Sequence, residues 1–185
     1  LIGYLQSRNI DLRLAKKFLK EVKIEFQKTG RKLIVIGLKK RKGGYEFRSE
    51  IFKGSNSPKD ISFINNASNL LVIVEGMFDM LSTMSIQNFV PLNTNWMVLN
   101  SVTMINRAME IIKNHQEVYL VLDNDLTGKN CSELIISFCK ENNIITINKS
   151  DAYSVFNDVS EWYTKLTKSY YNPELGYKYV KGSEI

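Results

Sequence analysis

Hydrophobic positions fall into two regimes along the chain. From residue 70 onward, short uninterrupted apolar runs alternate with stretches where apolar residues recur every three or four positions. The runs are Leu71-Val72-Ile73-Val74, Trp96-Met97-Val98-Leu99, Val118-Tyr119-Leu120-Val121-Leu122 and Ile144-Ile145-Thr146-Ile147. Such runs fit strands buried on both faces, as in a parallel sheet under helices. Between them the spacing predicts helices over residues 78–84, 104–113 and 128–141, the last burying Leu134, Ile135, Phe138 and Cys139. Strands and helices in alternation give an α/β fold, a small parallel sheet flanked by helices. Asn157 to Trp162 opens a final helix, with Asp158 either its N-cap or a further acid at the strand ends.

The first 68 residues are patterned differently. Residues 1–8 and 11–22 predict two short helices, the second capped by Asp11, with Leu12, Ala15, Phe18, Leu19 and Val22 on its apolar face. A β-rich stretch follows: 24–26, 33–38 and 45–48 read as strands, and so does 61–64. Lys39-Lys40-Arg41-Lys42-Gly43-Gly44 forms the tip of a hairpin. Either Lys40, Arg41 and Lys42 there meet phosphates, since paired glycines let backbone approach closely, or the tip is a bare exposed turn. Asn65–Asn69 reads as a linker, which divides the chain into a subdomain at 1–68, a domain at 69–169 and an aromatic tail at 170–185.

Charge sharpens this division. Residues 1–60 hold 16 Lys and Arg against 6 Asp and Glu, whereas the remainder hold 9 against 13. A basic lobe joined to an acidic one suggests that one part grips a polyanion on which the other works. No apolar run reaches the roughly 20 residues needed to span a bilayer, so no membrane is expected. Cys131 and Cys139 fit neither a disulfide framework nor a zinc site, consistent with a reducing, cytoplasmic setting. His115 falls in a polar turn and reads as solvated, which excludes histidine-based triads. The missing initiator Met suggests a processed chain or a piece of a longer one.

Two of the apolar runs stop abruptly at carboxylates, Glu75 and Asp79 after the first, Asp123 and Asp125 after the third. Ligands in parallel α/β sheets bind beyond the carboxyl ends of the strands, so these four acids are expected at one rim. Crowded carboxylates repel one another unless a cation lies among them, and oxygen-only ligands suit Mg²⁺ or Mn²⁺.

The two motifs, Glu75-Gly76-Met77-Phe78-Asp79 and Asp123-Asn124-Asp125-Leu126-Thr127-Gly128, with Val98-Leu99-Asn100-Ser101-Val102 between them, resemble the Toprim domain of primases and topoisomerases. The resemblance covers about residues 69–166. It implies a Rossmann-like fold in which Glu75, Asp79, Asp123 and Asp125 hold Mg²⁺ or Mn²⁺ and Glu75 is catalytic. The first lobe resembles the subdomain preceding Toprim in bacterial-type primases, above all those of mobile elements. The likeness rests on Tyr4-Leu5-Gln6-Ser7-Arg8-Asn9-Ile10, Gly43-Gly44-Tyr45-Glu46-Phe47-Arg48, Lys53-Gly54-Ser55 and Ser57-Pro58-Lys59. It implies that Arg48, Lys53 and Lys59 face template or nucleotide phosphates. The resulting expectation is a primase-like core making RNA primers on single-stranded DNA from nucleoside triphosphates, with a replicative helicase as a further partner. A Toprim nuclease or topoisomerase-like cleavage domain and a non-catalytic nucleic-acid-binding module are the alternatives.

Overall fold

A computed structural model of the chain describes residues 1–169 together with short strands at 171–172 and 177–178. The aromatic tail at 170–185 lies outside the described residues apart from those two strands.

The first lobe opens with helices α1 (Ile2–Ser7) and α2 (Leu12–Phe18). Asp11 caps α2 as expected, its side chain accepting from Arg13 N at 2.7 Å. The helix does not run to residue 22, because strand β1 (Leu19–Glu25) begins directly after Phe18. Leu19, Val22 and Ile24 satisfy a strand's alternation too, and seven cross-strand pairs with β2 (Lys32–Lys39) decide the matter. Strands β3 (Tyr45–Arg48) and β4 (Lys53–Ser55) complete an antiparallel sheet in the order β1-β2-β3-β4.

The second sheet has five strands, β5 (Ser62–Ile64), β6 (Leu70–Val74), β7 (Asn95–Val98), β8 (Glu117–Val121) and β9 (Ile145–Asn148), in the order β5-β7-β6-β8-β9. The last four are mutually parallel and correspond to the four apolar runs. Strand β5 joins antiparallel to β7 at the edge. It precedes residue 69, so the sequence division cuts off a strand that is hydrogen-bonded into the second sheet. Helices α3 (Met77–Ser85), α4 (Ile105–Ile112), α5 (Leu126–Glu141) and α6 (Val159–Ser169) flank this sheet. On α5, Ile135 and Cys139 are buried as expected, but Leu134 is 57% exposed because it falls on the solvent side.

Alternation along β6 explains why its run is apolar throughout. Leu71 and Ile73 pack with Ala108, Ile112 and Ile135 beneath α4 and α5. Val72 and Val74 face the other way, into a core containing Met77, Leu81 and Val159. That second core also takes Leu5, Ala15, Leu19, Ile36 and Leu38 from the first lobe. The two lobes therefore share one hydrophobic interior.

Candidate active site

The acids gather where the parallel strands end. Glu75 follows β6, and Gly76 begins α3, whose Asp79 accepts a hydrogen bond from Gly76 N at 2.9 Å. Asp79 is thus a first-turn acid that caps its own helix. Strand β8 stops at Val121, so Asp123 and Asp125 lie in the loop beyond it and do not alternate as strand residues. Asp125 is exposed and caps α5, accepting from Gly128 N at 2.7 Å. Glu75 Oε1 accepts from Asp123 N at 3.2 Å, which turns the glutamate toward the β8 loop.

Gly128 makes this proximity possible. A Cβ there would sit 2.2 Å from Asp123 O and 2.8 Å from Glu75 Oε1, so only glycine lets the start of α5 lie against both. Asn124 holds the same loop from the other side. Its Nδ2 donates to Tyr153 O and Phe156 O, each at 3.0 Å, and its backbone N donates to Asn157 O at 2.7 Å. These bonds draw the start of α6 to the rim, and with it Asp158.

Both readings of Asp158 hold in the structure. It caps α6 as expected, accepting from Glu161 N at 2.6 Å, yet its charge also bears on the rim. Burial, then the Asp158 and Glu75 carboxylates, push Asp79 up to about 7 against the pull of the Gly76 N–H. Burial, then Asp79, Glu75, Asp158 and Asp125, push Asp123 up to about 8. Glu75 is raised by burial first, with Asp125 and Asp158 adding to it and the Asp123 N–H opposing. Acids from three separate loops thus form one repelling cluster. Among the described residues no three acidic, histidine or cysteine side chains close into a preformed metal cage. The donors are all oxygens and carry excess negative charge, and such a set fits a hard divalent cation.

Beside the rim lies a cleft of about 190 Å³ lined by Arg48, Lys53, Lys59, Asp60, Asn100 and Ser101, among others. The three cations expected to face phosphates thus share one concavity. Arg48 donates to Phe47 O at 2.9 Å, and burial draws its pKa below the ordinary value while Glu46, Tyr4 and Asp79 oppose. Asn100 N donates to Glu75 O at 2.9 Å, which joins cleft to rim.

The hairpin tip behaves differently from the expectation for Lys40. Its ammonium is fully enclosed, donating to Ser55 Oγ at 2.7 Å and to Asn56 O, with Glu46 Oε1 at 3.8 Å. Burial lowers its pKa. Lys40 is therefore not an exposed phosphate contact, because β4 and the turn after it close over the side chain. Arg41 and Lys42 stay exposed. The tip is held by Asp60, which accepts from Arg41 Nε at 3.4 Å, Lys42 N at 3.1 Å and Arg107 Nη1 at 3.1 Å. Burial works to raise Asp60, but the Arg107 hydrogen bond and Arg41 hold its carboxyl below the usual range. Nothing local in the sequence signals this bridge, since Asp60 and Arg107 lie 47 residues apart.

His115 is buried at 7% exposure, not solvated. Asn95 Nδ2 donates to its Nε2 at 2.8 Å, so Nδ1 carries the proton and donates to Ile111 O at 2.9 Å. It is a structural residue remote from the acids.

With this geometry established, likenesses to known proteins can be placed on it. Residues 72–161 match the Toprim-like family model. The second lobe has the Toprim fold. Residues 1–57 match a domain of unknown function, DUF8464, which leaves the first lobe without an inherited role. No curated protein sequence matches the chain. The crystal structure of the zinc-binding and RNA polymerase domains of the Aquifex aeolicus primase is similar, with TM-score 0.56 and 18% identity, over 91% of this chain and 53% of that one. The primase fragment of the bacteriophage T7 primase-helicase protein is similar at TM-score 0.58 and 15% identity, over 89% and 69% of the two chains. The chain spans about half the length of the Aquifex chain. At these identities the likeness is one of fold, and it extends from the Toprim lobe across the first lobe. Among the described residues no helix is long and apolar enough to cross a membrane.

Proposed function

We propose that this chain is a primase-like catalytic core, which joins ribonucleotides into primers on a single-stranded DNA template for a mobile element. One observation carries the reading: Glu75, Asp79, Asp123 and Asp125 reach a common rim beside a cleft lined by Arg48, Lys53 and Lys59. Acids and bases placed side by side suit a reaction between polyanions that needs charge neutralised at its centre.

Mg²⁺ or Mn²⁺, held by Glu75, Asp79, Asp123 and Asp125 with Asp158 behind them, would supply Lewis acidity at the phosphates. Arg48, Lys53 and Lys59 hold the triphosphate and the template backbone, a grip that weakens as salt rises. Arg41 and Lys42 extend this basic surface along the hairpin tip. Glu75 is fixed by the Asp123 N–H and its pKa is raised. A carboxylate whose proton affinity is raised by burial and by neighbouring acids is the better suited to accept the proton of an attacking hydroxyl. The T7 neighbour is a fragment of a primase-helicase protein, and on that likeness a replicative helicase is the proposed partner.

Primer synthesis from labelled ribonucleotides on single-stranded DNA, with Mg²⁺ or Mn²⁺ present, tests the reading. The wild-type chain extends primers and Glu75→Gln makes none. Primers made by Glu75→Gln would overturn the role given to Glu75, and plasmid nicking without primer synthesis would replace polymerisation by cleavage.

A further inference from the structure

The first sheet has two unlike faces, and the cleft uses only one. The register places Arg48 and Lys53 on the same side as Leu19, Ile36 and Leu38, together with every strand acid, Glu21, Glu25 and Glu46. The reverse side carries Lys20, Val22, Val35, Lys39, Tyr45 and Phe47, and no acid at any strand position. Its apolar residues belong to neither of the two cores.

Aromatic rings dominate this reverse face. Tyr45 stacks on Phe47 at 6.5 Å with an interplanar angle of 18°. Phe52 and Phe26 meet edge to face at 5.6 Å. Two glycines keep the rings low on the sheet. A Cβ on Gly54 would lie 2.6 Å from Phe52 Cζ, and one on Gly37 would lie 3.0 Å from Tyr45 Cδ1. Tyr45, Phe26 and Phe52 remain partly open to solvent, and Lys20 and Lys39 are exposed. Lys39 pairs directly with Tyr45 across the β2–β3 ladder, so their Cβ atoms lie about 5 Å apart on this face.

We propose that this reverse face is a second binding surface for single-stranded nucleic acid, distinct from the cleft, with bases stacked on Tyr45 and Phe52 and phosphates beside Lys20 and Lys39. Sheet-borne aromatics stack unpaired bases without regard to sequence, because every base offers a π face. A sheet face with lysines and no acid at its strand positions favours a polyanion over an ordinary protein surface. The site needs no nucleotidyl transfer and stands independently of the reading given to the acid rim.

Fluorescence anisotropy of a labelled oligothymidylate of about 15 nucleotides, titrated with the whole chain in EDTA, tests it. Tyr45→Leu/Phe52→Leu keeps apolar cover but removes both rings, and its affinity falls about tenfold or more while circular dichroism is unchanged. Lys20→Glu/Lys39→Glu, at exposed positions that leave the fold intact, also weakens binding and flattens its salt dependence. Lys53→Ala, in the cleft, leaves the ring-dependent part in place. Wild-type affinity in either double variant overturns the proposal, as does complete loss of binding in Lys53→Ala alone. Inactive Glu75→Gln bears on the rim and not on this surface.

Discussion

Replacing Asp123 by Asn should stabilise the metal-free protein at alkaline pH, and the size of the gain follows from the crowding at the rim. Among the described residues no hydrogen bond to the Asp123 side chain would be lost, and Asn preserves its volume. The carboxyl is raised from 3.8 to about 8 by burial and by Asp79, Glu75, Asp158 and Asp125. At about 1.4 kcal/mol for each pH unit, ionising it in the folded state costs about 6 kcal/mol as a ceiling. Solvent reaches this partly buried group, and screening brings the figure to about 2 kcal/mol. The sign follows from linkage. A folded-state pKa above the unfolded one contributes stability that is complete below about pH 4 and drains away as pH climbs through about 8. Wild-type protein in EDTA therefore melts progressively lower, relative to the variant, between pH 4 and 8.5, and Asp123→Asn melts roughly 4–8 °C higher than wild type at the alkaline end but level with it below about pH 4. Mg²⁺ raises the melting temperature of wild type more than that of the variant. Differential scanning fluorimetry across these pH values reads all three. Equal melting of the two proteins at pH 8.5 in EDTA would refute the idea that these acids repel one another.

Two further outcomes follow from contacts elsewhere. Gly128→Ala drives a methyl group into Asp123 O and Glu75 Oε1, so it should lower stability by about 1–3 kcal/mol in urea unfolding and reduce primer synthesis. Lys40→Ala strips Asn56 O and Ser55 Oγ of a buried charged donor, with an expected loss of about 2–3 kcal/mol. The same variant should weaken the Michaelis constant for nucleotides more than kcat, because β4 carries Lys53 of the cleft.

How far the sequence discloses this architecture depends on where each contact lies. The apolar runs at 71–74 and 118–122 announce doubly buried strands, because local sequence alone encodes burial on both faces. The acids after them are legible for the same reason. The helix expected to reach Val22 is not, since Leu19–Glu25 satisfies both periods and only pairing with β2 separates them. Lys40 reads like Arg41 and Lys42 because a run of cations gives no hint of which one the next strand will cover. Asp158 reads as an N-cap or a further rim acid, and only Asn124, which draws two distant loops together, lets it be both.

Strand β5 carries an implication for how this protein can be divided or inherited. The segment leaving the basic lobe supplies the outermost ribbon of the acidic lobe's sheet, and Ile61 beside it is wholly enclosed. A gene break at the apparent linker would strip β7 of its neighbour and open a sticky margin to aggregation. Recombination that shuffles such modules should therefore respect a boundary upstream of residue 60 or move both halves together.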